Sequence, residues 1–324
     1  MGRYILRRLA LTIPLLFVIS ILSFLVMHLA PGDPTAFFAD PNKPESSSPA
    51  EIARLREQLG LDDPLHVQYA KWLLNTVQGN WGYSLINKKS VAGEMRERLP
   101  NTLLLGGFAL ALALLVSIPV GIISAIKKYT LFDYAVTGLT FIGVSMPSFW
   151  FALLLMQLFT NQLDVLPAVG MRTLREELTG WAAVLDVARH LILPGVVLSM
   201  GSMASWTRYQ RSSLLEVIGQ DYMRTARAKG LREQTVILRH ALKNSLIPMI
   251  TLLGMSLPHL VSGAFIIETV FAWPGMGRLG IGAIMARDYP VVMAVTMVAS
   301  LVVVMGNFLA DLAYAWADPR IRYE

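Results

Sequence analysis

The chain has 324 residues, of which 54% are hydrophobic and only 15% charged, with a formal net charge of +6 and a mean hydropathy of +0.52. Soluble domains carry roughly 25% charged residues, so an ordinary soluble globular protein is excluded and an all-α, polytopic integral membrane protein is indicated. There is no cysteine, which excludes a disulfide framework and a thiolate metal site.

Arg3, Arg7 and Arg8 precede an apolar run from Leu9 to Ala30. The run is long enough to cross a bilayer and exceeds the apolar core of most signal peptides. We read it as a retained first helix; the small residue Ala30 keeps a cleaved signal open. Five more apolar spans follow, roughly Asn101–Ile126, Ala135–Thr160, Leu191–Trp206, Leu246–Val270 and Val291–Trp316. The fourth is short and is expected to continue as a helix past the membrane interface. Pro119, Pro147, Pro194 and Pro258 each remove a backbone hydrogen bond from a span. Gly121, Gly143, Gly195, Gly201 and Gly254 permit close helix contact.

Between the first two spans, 31–100 reads as a small outer subdomain. Ser48-Pro49-Ala50-Glu51 forms a capping box with proline at the first helical position. Ile52, Leu55 and Leu59 then share a helix face closed by Gly60. Asp63-Pro64 starts a second helix carrying Leu65, Tyr69, Trp72 and Leu73 and ending at Gly79. A turn-rich stretch, Gly79 to Ser84, follows. Basic residues cluster on one side of the spans: the N-terminal arginines, Lys127 and Lys128, the loop 208–245, and Arg320 and Arg322. The positive-inside rule then puts both termini in the cytoplasm. The opposite loop, Asn161–His190, has three basic residues and four acids.

The loop 208–245 is the most informative stretch. It holds eight Arg/Lys (Arg208, Arg211, Arg224, Arg227, Lys229, Arg232, Arg239, Lys243) against three acids (Glu216, Asp221, Glu233). Gly230 stands where a helix ending at Lys229 would need a left-handed cap, and Ala226 and Ala228 offer a small surface for close approach. The pattern is helix, glycine turn, helix. Anchorage to anionic lipid accounts for the charge but not for the glycine elbow. Arg224-Thr225-Ala226-Arg227-Ala228-Lys229-Gly230-Leu231, followed by Arg239-His240-Ala241-Leu242, Asn244 and Pro248, resembles the coupling loop of ABC-importer permeases, most closely the dipeptide/oligopeptide/nickel branch. The general pattern has Glu-Ala-Ala where this chain has Arg224-Thr225-Ala226, and Ile-x-Leu-Pro where it has His240 to Lys243; both departures are like those of that branch. The resemblance implies that Arg224, Thr225, Ala226, Ala228, Lys229, Gly230 and Leu231 meet a separate ATPase subunit.

A second run, Glu268-Thr269-Val270-Phe271-Ala272-Trp273-Pro274-Gly275-Met276-Gly277-Arg278-Leu279, resembles one that follows the fifth helix of the same permeases. Its spacing matches G-x-G-x-x-G through Gly280, but a dinucleotide site needs a preceding strand. We place it at the outer mouth of the path, with Glu268, Trp273, Pro274, Gly275 and Gly277 as outer-gate residues. His259, beside Pro258 in the fifth span, is the ionisable group nearest a span centre. Such a residue is a functional candidate, although a neutral histidine bonded to a neighbouring helix is the simpler reading. Glu268 and Asp311 lie nearer span ends, within reach of water or a basic partner. Arg98-Leu99-Pro100-Asn101-Thr102 also resembles the end of the family's outer loop, which implies contact with an extracytoplasmic binding protein; packing on the membrane helices is the alternative.

No phosphate loop G-x-x-x-x-G-K-[ST] occurs, so ATP hydrolysis by that route is not expected here. The five histidines show no metal-ligand spacing. An intramembrane serine protease built on Ser145 and His259 lacks any sign of proximity. The resemblance covers Arg3 to Arg320 and implies the type I importer fold in one membrane domain spanning 1–324. Implied partners are a second permease, two ATPases carrying ATP and magnesium, a binding protein, and membrane lipid; no cofactor in this chain and no nucleic acid are implied. The setting is a bacterial or archaeal plasma membrane. Peptides are the expected cargo, with nickel or another small solute on the same machine, or a membrane enzyme or channel, as alternatives.

Overall fold

The computed structural model describes residues 2–29, 62–173, 178–256 and 264–317. In chain order its helices are α1 (Gly2–Leu29), α2 (Leu65–Val77), α3 (Val91–Ile126), α4 (Leu131–Ser145), α5 (Ser148–Met156), α6 (Gly180–Ile218), α7 (Asp221–Ala228), α8 (Glu233–Thr235), α9 (Leu242–Ser245), α10 (Ile247–Ser256), α11 (Ala264–Val270), α12 (Met276–Met285) and α13 (Tyr289–Ala317). π-Helical turns extend α5 through Gln157–Gln162 and join α8 to α9 through Val236–Ala241. Among the described residues the only extended pairing is one bridge between Tyr83 and Ser90. A bilayer demands this, because helices satisfy their backbone polar groups internally.

Among the described residues each expected span lies mainly on helix, but the spans are not six equal rods. Among the described residues, three are unbroken and both long and apolar enough to cross a membrane: α3, α6 and the Tyr289–Ala310 part of α13. The third expected span is broken. Leu131–Ser145 and Ser148–Gln162 meet at 109°, where Met146 turns extended (φ −81°, ψ 126°). Proline disfavours the helical conformation at the residue before it, and Pro147 caps α5 (φ −59°). Pro119 and Pro194, by contrast, sit inside helices that continue past them. The fourth span does run on: α6 reaches from Gly180 to Ile218, so much of the expected outer loop and the first residues of 208–245 are helix. In the fifth, α10 and α11 flank 257–263, and His259 and Pro258 lie outside the described residues, as does the capping box at 48–51.

The chain forms two compact units, one of 1–100 with 275–302 and one of 101–274 with 303–324. In the first, α2 is the helix expected after Asp63-Pro64, and Gly79 follows it with φ +82°. Tyr69 and Trp72 pack on Phe24 of α1, with ring centroids 5.4 and 5.9 Å away. The Tyr69 hydroxyl lies 2.7 Å from Ser20 Oγ. The 79–91 loop is tied to the turn before α13: Ser84 donates to the buried Asp288 carboxylate, and Leu85 N–H donates to the same group at 3.2 Å.

In the second unit, α3, α4 and α6 are joined at one end by a buried carboxylate. Asp133 is 2% exposed. Arg211 of α6 grips it with Nε at 2.6 Å and a terminal nitrogen at 2.7 Å. Ser124 of α3 and the Tyr129 N–H complete its shell. Such a bidentate, fully hydrogen-bonded pair is the condition under which a buried charge is tolerated. Nearby, a Cβ on Gly121 would stand 2.8 Å from both Gln210 Cβ and the Thr207 carbonyl oxygen. The two helices therefore touch backbone to side chain, as small residues allow.

Candidate functional site

The basic loop folds as an elbow on the end of this second unit. Met223 and Ala226 of α7 are buried with Val236 and Ala241 of the return arm, against Leu214 of α6 and Ala125 of α3. Apolar residues three apart on α7 share that face. Arg224, Thr225, Ala228, Lys229, Gly230 and Leu231 are exposed. The expected pairing of Ala226 with Ala228 on one close-approach surface is therefore corrected. Two residues apart, they point to opposite sides of a helix.

Gly230 turns the chain with φ +74°, and its N–H bonds the Arg227 carbonyl at 2.9 Å. A Cβ there would meet nothing within 4 Å, so backbone conformation, not space, calls for glycine. Arg227 reaches across the turn to Glu233 with two hydrogen bonds, of 3.1 and 2.9 Å. The Arg227 guanidinium holds the Glu233 carboxyl below its ordinary range, and the carboxylate in turn raises the arginine. Asn244 donates to the Tyr222 hydroxyl at 2.8 Å and links the two stems. The return arm departs from the simple second helix expected of it, since the π turn Val236–Ala241 separates α8 from α9.

The Glu268 run is a capped helix end. The Trp273 N–H bonds the Glu268 carbonyl (2.8 Å) and the Ala272 N–H bonds that of Thr269 (3.2 Å). Ala272 takes φ +49°. That double closure with a left-handed residue is the Schellman geometry, here with alanine in place of glycine. Trp273 is fully buried and its indole N–H donates to the Asn101 carbonyl at 2.9 Å. Asn101 Nδ2 donates to the Pro274 carbonyl at 2.8 Å. Thr102 Oγ1 donates to Glu268 Oε1 at 2.7 Å.

Glu268 is 0% exposed, so of the two expectations for it, water or a basic partner, burial removes the first: its position at a helix end does not place it at the surface. Gly275 is the extended N-cap of α12 (φ −104°) and Gly277 is buried in its first turn. The helix Ala264–Val270 precedes this run, where a dinucleotide site would need a strand. His259 and the side chain of Asp311 lie outside the described residues. Asn101 and Thr102 were visible in the sequence only as part of the Arg98–Thr102 motif; that they clamp the Glu268 run needed the fold. Gln210, Ser245 and Asp133 carried no motif at all.

A family model described as "Binding-protein-dependent transport system inner membrane component" matches residues 117–323. Its N-terminal companion matches residues 1–106. The chain belongs to this family. It is a multi-pass plasma-membrane permease of a binding-protein-dependent transport system. The "Oligopeptide transport system permease protein AppB" of Bacillus subtilis (strain 168) is 45% identical over 324 residues, 100% of both chains. A "Putative peptide permease protein" of Brucella suis biovar 1 is 45% identical over 323 residues, 99% of both. The "Dipeptide transport system permease protein DppB" of Escherichia coli (strain K12) is 38% identical over 341 residues, 100% of both. Among solved structures, the MetNI methionine ABC transporter in inward-facing conformations matches with a TM-score of 0.53 at 15% identity, covering 69% of this chain and 96% of that one. At that identity the likeness concerns fold alone, that of a type I ABC-importer permease.

Proposed function

We propose that this chain is one permease subunit of an ATP-driven importer that takes up peptides handed over by an extracytoplasmic binding protein. The observation that carries the ATP-driven part is the elbow. One face of α7 packs on the ends of α3 and α6, and Arg224, Thr225 and Ala228 of α7, with Lys229 and Leu231 of the turn, are left exposed. A channel has no use for such a lever. The names of full-length relatives support peptide cargo. The lever works by differential contact: an ATPase pair that closes on ATP moves the elbow, and the packed helices follow as a body. ATP and magnesium belong to those separate subunits, and a second permease completes the path. Both termini and the elbow face the cytoplasm, and the Glu268–Gly277 run stands at the outer mouth as a gate.

The test is reconstitution of the chain with its partner permease, ATPases and binding protein in proteoliposomes. Uptake and ATP hydrolysis are measured against di-, tri- and longer peptides and against nickel. Stimulation by peptides is the expected result, and stimulation by nickel alone overturns the cargo. A chain that assembles with no ATPase overturns the coupling role.

A further inference from the structure

The elbow leaves the bundle through the end of α6 and returns through Val236–Ala241 and α9. Besides the apolar packing of Val236 and Ala241 on Leu214, side-chain hydrogen bonds tie its two stems at two levels. Tyr222 and Asn244 form the tie nearer the tip. The deeper tie is made by two side chains of α6, one turn apart, on a single residue of α9. Gln210 Nε2 donates to Ser245 Oγ at 3.1 Å, and Ser213 Oγ donates to the Ser245 carbonyl at 3.1 Å. Ser245 and Gln210 are both 0% exposed. Gln210 is also wedged against α3, where only glycine at 121 leaves it room.

Two features set Gln210 apart from a residue that merely fills space. Its Oε1 is buried without a hydrogen-bond partner among the described residues. Turning the amide over exchanges the atoms but still leaves one end unpaired. An unpaired buried amide costs stability, and an apolar side chain of the same shape would avoid that cost. The other feature is what the tie bypasses. The return stem contains the π turn Val236–Ala241; such turns are wider than α-helix and recur at functional sites. A push on the elbow tip that travelled only along the backbone would be taken up there.

We propose that Gln210 is a positioning residue for coupling. By clamping Ser245 to α6 it carries elbow displacement around the compliant π turn and into the fifth span. This rests on the coupling role proposed above. The stability of the fold does not require the amide; transmission does.

The experiment uses the complete reconstituted importer and reads two quantities: the melting temperature of the purified complex, and cargo taken up per ATP hydrolysed. For Gln210→Leu the expected result is a melting temperature equal to or above that of the unaltered complex, with uptake per ATP lowered about tenfold, a typical coupling effect. Ser245→Ala, which removes the acceptor hydroxyl, lowers the ratio similarly, and the double variant falls no further than either single one. Ratios within about twofold of normal for both single variants overturn the proposal, since a purely structural contact moves assembly and not the ratio. If Gln210→Leu does not assemble, Ser245→Ala decides: a lowered ratio supports the clamp, a normal one refutes it. If the unaltered chain fails to bind the ATPases, the coupling role itself falls, and the clamp with it. That outcome differs visibly from a complex that binds ATPases and ignores Gln210→Leu.

Discussion

Asp133 and Gly230 show two ways in which one residue holds the elbow end of the helices. Asp133→Asn keeps the shape but leaves Arg211, itself partly exposed, facing an amide. The expected loss is about 1–3 kcal/mol, read as a lower melting temperature of the purified chain. Adding Arg211→Met should restore part of the loss, because removing both partners is milder than orphaning one. Gly230 is a conformational requirement. Gly230→Val places a β-branched residue at φ +74°, a strain of about 1–3 kcal/mol. Gly230→Asn should be tolerated, since asparagine visits that region readily. Co-purification with the ATPase subunits is the readout, and equal yields for valine and asparagine would refute the requirement.

At the scale of elements, the broken third span and the elbow differ in what sets them. Pro147 stands at the 109° bend between α4 and its continuation, and its missing N–H and its restriction of Met146 favour the break. Pro147→Ala restores an N–H and frees Met146 for the helix. Because the chain has no cysteine, spin labels can be placed at Gly138 and Leu154 without further changes. Their separation should lengthen toward the ~24 Å of sixteen residues in a straight helix; an unchanged distance would show that packing, not proline, makes the bend.

The elbow turn is pinned by the Arg227–Glu233 pair, both members of which are substantially exposed. Glu233 has its pKa lowered on folding. The pair's contribution is therefore complete above the ordinary carboxylate range and fades only as pH falls through the depressed value. Screening keeps it small, below about 1 kcal/mol. Hydrogen exchange of the 224–234 amides should thus show no pH effect from this pair between about pH 6 and 8 and little effect of Glu233→Gln. In the run after the fifth span, replacing Gly275 and Gly277 with valine should stop uptake while the complex still assembles; normal uptake would remove the gate role.

For the whole molecule, orientation is the property to measure. Single cysteines at Lys128 and Leu163 should be labelled from opposite sides of sealed vesicles, Lys128 from the cytoplasm. Labelling of both from one side would undo the assignment. The amino-acid sequence by itself determined the class of molecule, the apolar stretches on which the long described helices lie, the glycine turn at Gly230 and the helix after Asp63-Pro64. These follow from apolar run length, charge beside the spans and local backbone chemistry, all of which act between near neighbours in the chain. Only the tertiary structure decided that Ala226 faces inward and Ala228 outward. It alone showed that Glu268 is sealed from water by a helix 166 residues away in sequence. It also decided that Asp133 meets Arg211, and Gln210 meets Ser245, across separations of 78 and 35 residues. Inside a membrane nearly every helix is apolar on all sides, so periodicity marks no preferred face. Which polar atoms meet is then set by how helices pack, and no local pattern records it.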